Sequence, residues 1–343
     1  MGRKTYRKII TSPELIEKIN PKNKKLVDKF LNNFKTKRSP NSVKVYRSNF
    51  NIFFCWNELY NDNKFFVDVK KYELMDFFDY GVDELQWSSN RYAEIHSSLS
   101  SLSSFIYNML DEKYPNFRNN MSKIEKLPKE AVRKKSIFSQ EDFDRLEKYL
   151  RENNKIQQIC LLKLLLASGA RCSELVRFTT DLIDINNIVF DGLFLETKDK
   201  MQVKGRGRTG GHIYRYIITK IFVPIYKEWL PIREKIMKEH NQQHNSVFIK
   251  NDGSPAKVTT IRSWMRDWTD ILGQPWYPHA GRHYWCSYLL NIGCEQEFVQ
   301  ELQHWSSSEM VKIYNDNTIK DRKWKGLDKL KNALNKNNKS DSE

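Results

Sequence analysis

The stretch that most constrains this 343-residue chain is 156–169, IQQICLLKLLLASG. Ile156, Ile159, Leu161, Leu162, Leu164, Leu165 and Leu166 leave it almost no polar face, so a helix here has to be covered by protein on every side. Such a helix is the centre of a domain, and Gly169 ends it. Ala170-Arg171-Cys172-Ser173-Glu174-Leu175 follows at once, which puts a cation at the head of the next helix. A guanidinium cannot sit in a core unpaired, so Arg171 has to face a cleft. Glu174, one turn on, is placed to hold or orient it. The plainer reading of Arg171 is an ordinary charge at a helix start.

The neighbours of that helix are read from periodicity. Ser139 to Asp142 is a helix start of the Ser/Thr-x-x-Asp/Glu kind and opens a domain over 139–320. Helices are expected at 140–152, 155–169, 222–240, 258–272, 282–292, 295–303 and 306–315, with a β-hairpin or three strands over 186–219. Upstream, helical spacing begins at Pro21 (Leu26, Val27, Phe30, Leu31, Phe34) and resumes after Ser39-Pro40-Asn41 and again near Tyr72 and Ser88. Four or five short helices with aromatic interiors make a small bundle over 23–120. Residues 1–22 read as a basic leader with little to pack. Residues 121–138 read as an exposed basic linker, and 321–343 as an amphipathic, basic tail carrying Trp324, Leu327, Leu330 and Leu334. The fold class is therefore mainly α with a small antiparallel β-sheet in the second of two domains.

Charge points to the partner. Lys and Arg number 58 against 42 Asp and Glu, a net of +16, and the basic residues are spread rather than gathered on one amphipathic helix. That favours a polyanion, nucleic acid above all, over a membrane surface. In the bundle, Lys37, Arg38, Lys44, Arg47 and Arg91 are either a solvated face or a phosphate-tracking one, and the overall charge favours the second. In the linker, Arg133, Lys134 and Lys135 are suited to lie along a DNA backbone. No apolar core of a signal peptide follows the start, and no run approaches a bilayer span, so a cytoplasmic place is expected. Five cysteines, an odd number, read as buried reduced thiols. His279, His283, Cys286 and Cys294 lack a metal-ligand spacing, so no metal site is expected.

Residues 278–314, PHAGRHYWCSYLLNIGCEQEFVQELQHWSSSEMVKIY, carry the chemistry. His279, Arg282, His304 and Tyr314 are two imidazoles, a permanent cation and a phenol, a set suited to breaking a phosphodiester with a protein nucleophile and no metal. The phenol attacks phosphorus, the guanidinium neutralises the non-bridging oxygens, and the imidazoles move protons or donate hydrogen bonds. Arg171 supplies a second guanidinium. The glycine-rich turn after residue 197 carries Lys198, Lys200, Lys204, Arg206, Arg208 and Arg215. Cations on such a tip are suited to a DNA groove, and one lysine there can protonate a leaving oxygen. These residues alone do not select which lysine.

ASGARCSEL, KGRG on a hairpin, HAGRH and ELQHWSSSEMVKIY come in the order and at roughly the spacing of the tyrosine recombinases, the phage integrase and Xer-type site-specific enzymes. SPNSVKVYRSNFNIFFCW and WSSNRYAEIHSSLSSLSSFIY resemble that family's helical core-binding domain, so the likeness covers about 25–320. It implies a two-domain, C-shaped clamp on duplex DNA, no cofactor, and a homotetramer on paired sites, with the tail docked on a neighbouring protomer. It further implies that Arg171 and Arg282 hold the scissile phosphate, His279 transfers a proton and His304 hydrogen-bonds the phosphate. Tyr314 resembles the nucleophile of a 3′-phosphotyrosyl link, Glu174 the supporting acid, and Lys204 the hairpin lysine, with Lys198 second. Three departures stand out: Gln303 replaces the usual glycine, Tyr314 follows His304 by ten residues rather than nine, and Gly281 stands where leucine is frequent. The expected function is site-specific recombination, most simply by an integrase of a phage or mobile element. An Xer-type resolvase and a type IB topoisomerase are alternatives. A silent DNA-binding protein with the same shell is disfavoured by the intact set of reacting groups.

Overall fold

The computed structural model describes residues 9–128, 136–203, 211–277 and 279–316. The chain divides into two compact units, one built on the residues before 135 and the other on those after it.

The first unit holds α1 (Pro13–Lys18), α2 (Pro21–Phe34), α3 (Pro40–Tyr60), α4 (Lys71–Asp83) and α5 (Ser89–Met109). The first three start alike. Ser12, Asn20 and Ser39 accept a backbone N–H with their side chains, and proline occupies the first turn, where its missing N–H costs nothing. Ser88 caps α5 in the same way. The core is aromatic: Phe53 meets Phe77 edge to face at 4.9 Å and Phe30 meets Phe50 at 5.5 Å, geometries that rings favour over face-to-face stacking. Gly81 makes room for Trp87, whose ring would lie 2.2 Å from any Cβ at that position.

Both ends of this unit depart from the sequence expectation. The leader reading of 1–22 fails from residue 10 onwards, because Ile10 and Ile19 are buried and Leu15 and Ile16 pack against the same core. Asn63 fastens this segment, accepting from the Asn20 backbone N–H at 2.9 Å and donating to the Lys18 carbonyl at 2.8 Å. Basic residues mask four apolar ones whose spacing is that of a short helix. The linker also begins later than residue 121. Met121 and Ile124 are buried, the Tyr92 hydroxyl donates to the Glu125 carbonyl at 2.9 Å, and His96 Nε2 bonds the Ile124 carbonyl at 2.9 Å. Phe138, at the far end of the expected linker, belongs to the core of the second unit.

That second unit is organised by α7 (Ile156–Ser168), whose last residues, Ser168 included, are buried without interruption from Leu164. α6 (Gln140–Glu152) packs on it after a capping box in which Ser139 and Asp142 satisfy each other's backbone N–H. α8 (Cys172–Leu175) follows, then β1 (Ile188–Val189), β2 (Phe194–Glu196), β3 (Met201–Val203), β4 (Gly211–Ile213) and β5 (Tyr216–Ile218). The strands form two small sheets where one hairpin or three strands were expected. One is antiparallel with order β1-β2-β5 and register Leu195↔Ile217, and the other pairs β3 with β4. α9 (Thr219–Glu239), α10 (Val258–Leu272), α11 (Ala280–Asn291), α12 (Gln296–Leu302) and α13 (Glu309–Tyr314) complete the unit. α9 and α11 cover the two flanks of α7, as a helix apolar all round requires. The architecture is mainly α with small antiparallel sheets. The tail, 321–343, lies outside the described residues, and no described helix is long and apolar enough to cross a membrane.

His96 gives this fold a pH dependence. Burial holds its imidazole below the ordinary 6.5, outweighing the carbonyl of Ile124, which favours the charged form. The unfolded chain therefore binds a proton that the folded one refuses, and stability falls as pH drops below about 6.5. His96→Gln is expected to flatten this acid limb in urea denaturation followed between pH 7 and 5. An unchanged limb would remove His96 as its source.

Candidate active site

The C-terminal end of α7 is the foundation of the site. Gly169 closes the helix in the left-handed conformation (φ 57°), and its N–H bonds the Leu165 carbonyl at 2.9 Å. The carbonyls of Ser168 and Gly169 are left without intrahelical partners. Gln303 Nε2 donates to the first at 2.7 Å and Arg282 Nη1 to the second at 2.8 Å. A Cβ on Gly169 would lie 2.7 Å from Gln303 Nε2 and 2.8 Å from the Trp285 ring, so glycine is required for space as well as for φ.

Two residues on, Arg171 caps α8. Its backbone N–H donates to Glu174 Oε2 and its Nη1 to Glu174 Oε1, both at 2.9 Å. The Arg171 side chain is 18% exposed and faces solvent, whereas Glu174 is fully buried. Arg215 Nη2 also donates to Glu174 Oε2, at 2.5 Å, and Arg215 Nη1 donates to Gln303 Oε1 at 2.7 Å. One carboxylate thus serves two guanidiniums. Burial alone would raise its pKa, but Arg215 and Arg171 hold it below the ordinary carboxylate range. Arg215, grouped by sequence with the exposed cations of the turn, is instead completely buried. The missed signal is alternation: Ile213, Arg215 and Ile217 are all buried and share the inward side of this extended segment.

Arg282, on α11, is also fully buried, and its Nε and Nη2 have no hydrogen-bond partner among the described residues. Burial pushes its pKa down to about 9, with Arg171 and Arg215 adding repulsion. A buried cation with two free donors and like charges nearby is incomplete without an anion. Its plane lies 4.8 Å from the Trp305 ring centre and 5.2 Å from that of Tyr314, and those two rings stack at 5.1 Å and 12°. Tyr314 ends α13, 8% exposed, with its hydroxyl 3.3 Å from His279 Nδ1. Ser287 Oγ donates to the Tyr314 carbonyl at 3.4 Å and accepts from the Asp316 N–H at 2.8 Å, while His283 Nδ1 lies 3.2 Å from Asp316 Oδ1. These contacts fix the residues on either side of the phenol.

His279, at the start of α11, and His304 are both exposed. His304 follows Gln303 in a left-handed conformation (φ 50°), and burial of its ring together with the charges of Arg215 and Lys200 pushes its pKa below the ordinary 6.5. The structure therefore brings Arg171, Glu174, Arg282, His279 and Tyr314 together, with His304 joined through Gln303. Lys198 is exposed beyond β2, its backbone N–H bonded to the Leu182 carbonyl at 2.9 Å, and no hydrogen bond or ion pair between described residues ties its side chain to the cluster. Lys204, Arg206, Arg208, Arg133, Lys134 and Lys135 lie outside the described residues. In the first unit Arg47 pairs with Asp28 and Arg91 with Glu94, each at 2.8 Å, Arg38 lies 5.9 Å from the Phe34 ring centre, and Lys37 and Lys44 are exposed. Exposed pairs of this kind are weak enough to exchange for a phosphate. No group of three or more His, Cys, Asp or Glu among the described residues is placed to hold a metal ion.

The family model of the phage integrase family matches residues 137–320, the helical unit that holds Arg171, His279, Arg282, His304 and Tyr314 and more than half of the chain. The chain belongs to that family, the tyrosine recombinases, an enzyme class that breaks and rejoins DNA. Tyrosine recombinase XerC of Listeria monocytogenes serotype 4b (strain F2365) is 24% identical over 75% of this chain and 84% of its own length. XerC of Listeria welshimeri is 24% identical over 84% and 92%. Among solved structures, the Tn1549 transposon integrase in complex with transposon right end DNA aligns over 90% of this chain and 99% of its own, with TM-score 0.61 and 15% identity. A lambda integrase tetramer bound to a Holliday junction aligns over 87% and 77%, with TM-score 0.60 and 14% identity.

Two substitutions probe the geometry. Gly169→Ala incurs a left-handed penalty of roughly 1–2 kcal/mol and an overpacking cost of roughly 1–3 kcal/mol, so urea unfolding is expected to show a loss of about 2–5 kcal/mol. A loss under 1 kcal/mol would mean that Gln303 and Trp285 yield freely. Arg282→Met removes a desolvated, under-partnered charge and keeps the volume. Its unfolding free energy is expected to stay level or rise by about 1–4 kcal/mol; a marked loss of stability would contradict this reading of Arg282.

Proposed function

We propose that the chain is a site-specific recombinase that cleaves and rejoins duplex DNA through Tyr314. The observation that carries the reading is the Tyr314 hydroxyl set 3.3 Å from His279 Nδ1, beside an Arg282 with two unpartnered buried donors. The scissile phosphate sits between Arg282 and Arg171, whose N–H groups hold its non-bridging oxygens. Glu174 keeps Arg171 aimed and His304 donates a further hydrogen bond. His279 takes the phenolic proton as Tyr314 oxygen bonds phosphorus and the bond to the 5′ oxygen breaks. That oxygen leaves as a hydroxyl with a proton from the turn lysine, Lys204 or Lys198. The 3′-phosphotyrosyl ester stores the energy of the broken bond, so a 5′ hydroxyl from another strand reseals it by the reverse steps without ATP. The guanidiniums and the lysine do the neutralising work that divalent metals do in other nucleases, so neither metal nor cofactor enters the scheme.

In this reading residues 10–125 are the core-binding domain, with Lys37, Arg38, Lys44, Arg47 and Arg91 on the phosphates. The connection follows Glu125 and carries Arg133, Lys134 and Lys135, and 139–320 hold the catalytic domain. The enzyme works as a homotetramer on paired sites in the cytoplasm or nucleoid of its host, its tail docked on a neighbour. An integrase of a phage or other mobile element is supported by the Tn1549 transposon and lambda integrases among the structures that share the fold. A resolvase of the Xer type is the second reading, favoured by XerC relatives that align over most of their own length.

Covalent trapping tests the mechanism. Wild-type protein incubated in EDTA with supercoiled plasmid carrying the DNA that flanks its own gene is expected to yield protein-linked 3′ ends after detergent. Tyr314→Phe is expected to bind the same DNA equally well and yield none. Linkage by the Phe variant would remove Tyr314 as the nucleophile, and a requirement for metal would remove the scheme. Flanking repeats beside phage or transposon genes would separate integrase from resolvase.

A further inference from the structure

We propose that Arg215 and Gln303 are positioning residues, a buried polar bridge that locks the Arg171 side and the His304 side of the site into one unit. The proposal rests on the phosphate-binding reading above and deepens it. Gln303 is 3% exposed and uses both ends of its amide: Nε2 donates to the Ser168 carbonyl and Oε1 accepts from Arg215, each at 2.7 Å. Arg215 carries the connection on to Glu174, and Glu174 to Arg171. The Arg215 backbone is fixed as well, its N–H donating to Thr197 Oγ1 at 2.9 Å and its carbonyl accepting from the Thr197 N–H at 3.0 Å. Four parts of the chain therefore meet at one bridge: the end of α7, the start of α8, the β2 edge beside Thr197 and the end of α12.

Stability gives little reason for such a bridge. Burying a guanidinium and an amide costs desolvation that their bonds roughly repay, and apolar side chains of the same volume often do as well or better. What a buried polar network supplies is a single geometry, and this one leaves only Arg215 Nε without a partner among its buried side-chain donors. Gln303 is the C-cap of α12 and the residue before His304, whose φ of 50° fixes the direction of its side chain. A shift of the Gln303 backbone therefore swings His304. A shift of Arg215 releases one oxygen of Glu174 and lets Arg171 follow. Where the resemblance has a glycine, neither hydrogen bond of Gln303 exists, so the bridge belongs to this chain rather than to the chemistry.

The test uses orthovanadate, a phosphate-shaped anion, bound to the full-length protein and followed by vanadium NMR line broadening. The proteins are wild type, Gln303→Ala, Gln303→Met, Arg171→Ala and Gln303→Ala with Arg171→Ala. Wild type is expected to bind, and both Gln303 variants to bind about tenfold more weakly. Once Arg171 is gone, the Gln303→Ala change is expected to cost clearly less, about threefold, because only the His304 side is then left to lose. Gln303→Met fills the volume without bonding, so wild-type affinity in that variant would assign Gln303 to packing and overturn the bridge. The same tenfold loss in the Arg171→Ala background would overturn it too, as would no loss at all, a Met variant that fails to fold, or no binding by wild type. Covalent trapping of wild type on the gene-flanking plasmid runs beside it. Coupled vanadate losses without a DNA adduct would sink the recombination reading and leave the bridge standing. An adduct with uncoupled losses would do the reverse.

Discussion

The buried carboxylate of Glu174, shared by Arg171 and Arg215, is the interaction on which the rest of the site depends. Three guanidiniums crowd this region, and Arg171 and Arg215 both push the pKa of Arg282 down. Left alone, such a cluster would repel itself apart or draw in water. Glu174 offsets one charge, divides its two oxygens between two arginines, and leaves surplus charge on Arg282, whose Nε and Nη2 have no partner among the described residues. The result is a pocket that is electrostatically unfinished and geometrically fixed. That combination is what a site for developing negative charge needs, because nothing has to reorganise when the anion arrives.

The fold supplies what a carboxylate cannot, which is a floor. α7 is covered on both flanks, so its end is fixed as firmly as anything in the unit, and a helix end presents carbonyls with a partial negative charge. Arg282 and Gln303 are both moored to those carbonyls. An apolar helix whose own sequence carries no chemistry thereby sets the position of a cation from α11 and of the loop after α12. Gly169 joins the two roles, since the helix cannot stop there, nor Gln303 and Trp285 approach, with a larger residue.

Much of this is legible in the sequence, and the divide between what is and what is not follows a physical line. The apolar run before Gly169, the capping pattern at Ser139 and the prolines at Pro21 and Pro40 announce their helices because local periodicity and capping are local facts. Arg171 and Glu174 can be picked out for the same reason, as charges next to the end of a buried helix, and Arg282 by its company with His279, His304 and Tyr314. The failures are tertiary. Ile10, Leu15, Ile16 and Ile19 pack although they follow a basic start (Arg3, Lys4, Arg7, Lys8), and Met121 and Ile124 pack although the stretch lacks helical spacing. Arg215 sits inward because alternation along the extended segment between β4 and β5 outweighs the count of cations around it, and its partner Gln303 lies 88 residues away. No local rule foresees a pair at that separation.

Tyr314 shows how little of the site's precision comes from the element that carries the reacting group. α13 has six residues, too few to hold itself helical in water. Its end is held from outside, by Ser287 on the Tyr314 carbonyl, by Asp316 fastened to His283 and Ser287, and by the parallel Trp305 ring. Ser287 and His283 both belong to α11, the helix that carries Arg282, and His279 opens it. The phenol, its hydrogen-bonded imidazole and the half-partnered guanidinium are therefore referred to a single helix, and that helix is referred to α7 by packing along it and by Arg282 on the Gly169 carbonyl. Any motion of α11 moves all three groups together. Their mutual distances survive motions that would scatter groups carried on separate elements, which is how a phenol on a marginal helix can still be held within hydrogen-bonding reach of an imidazole.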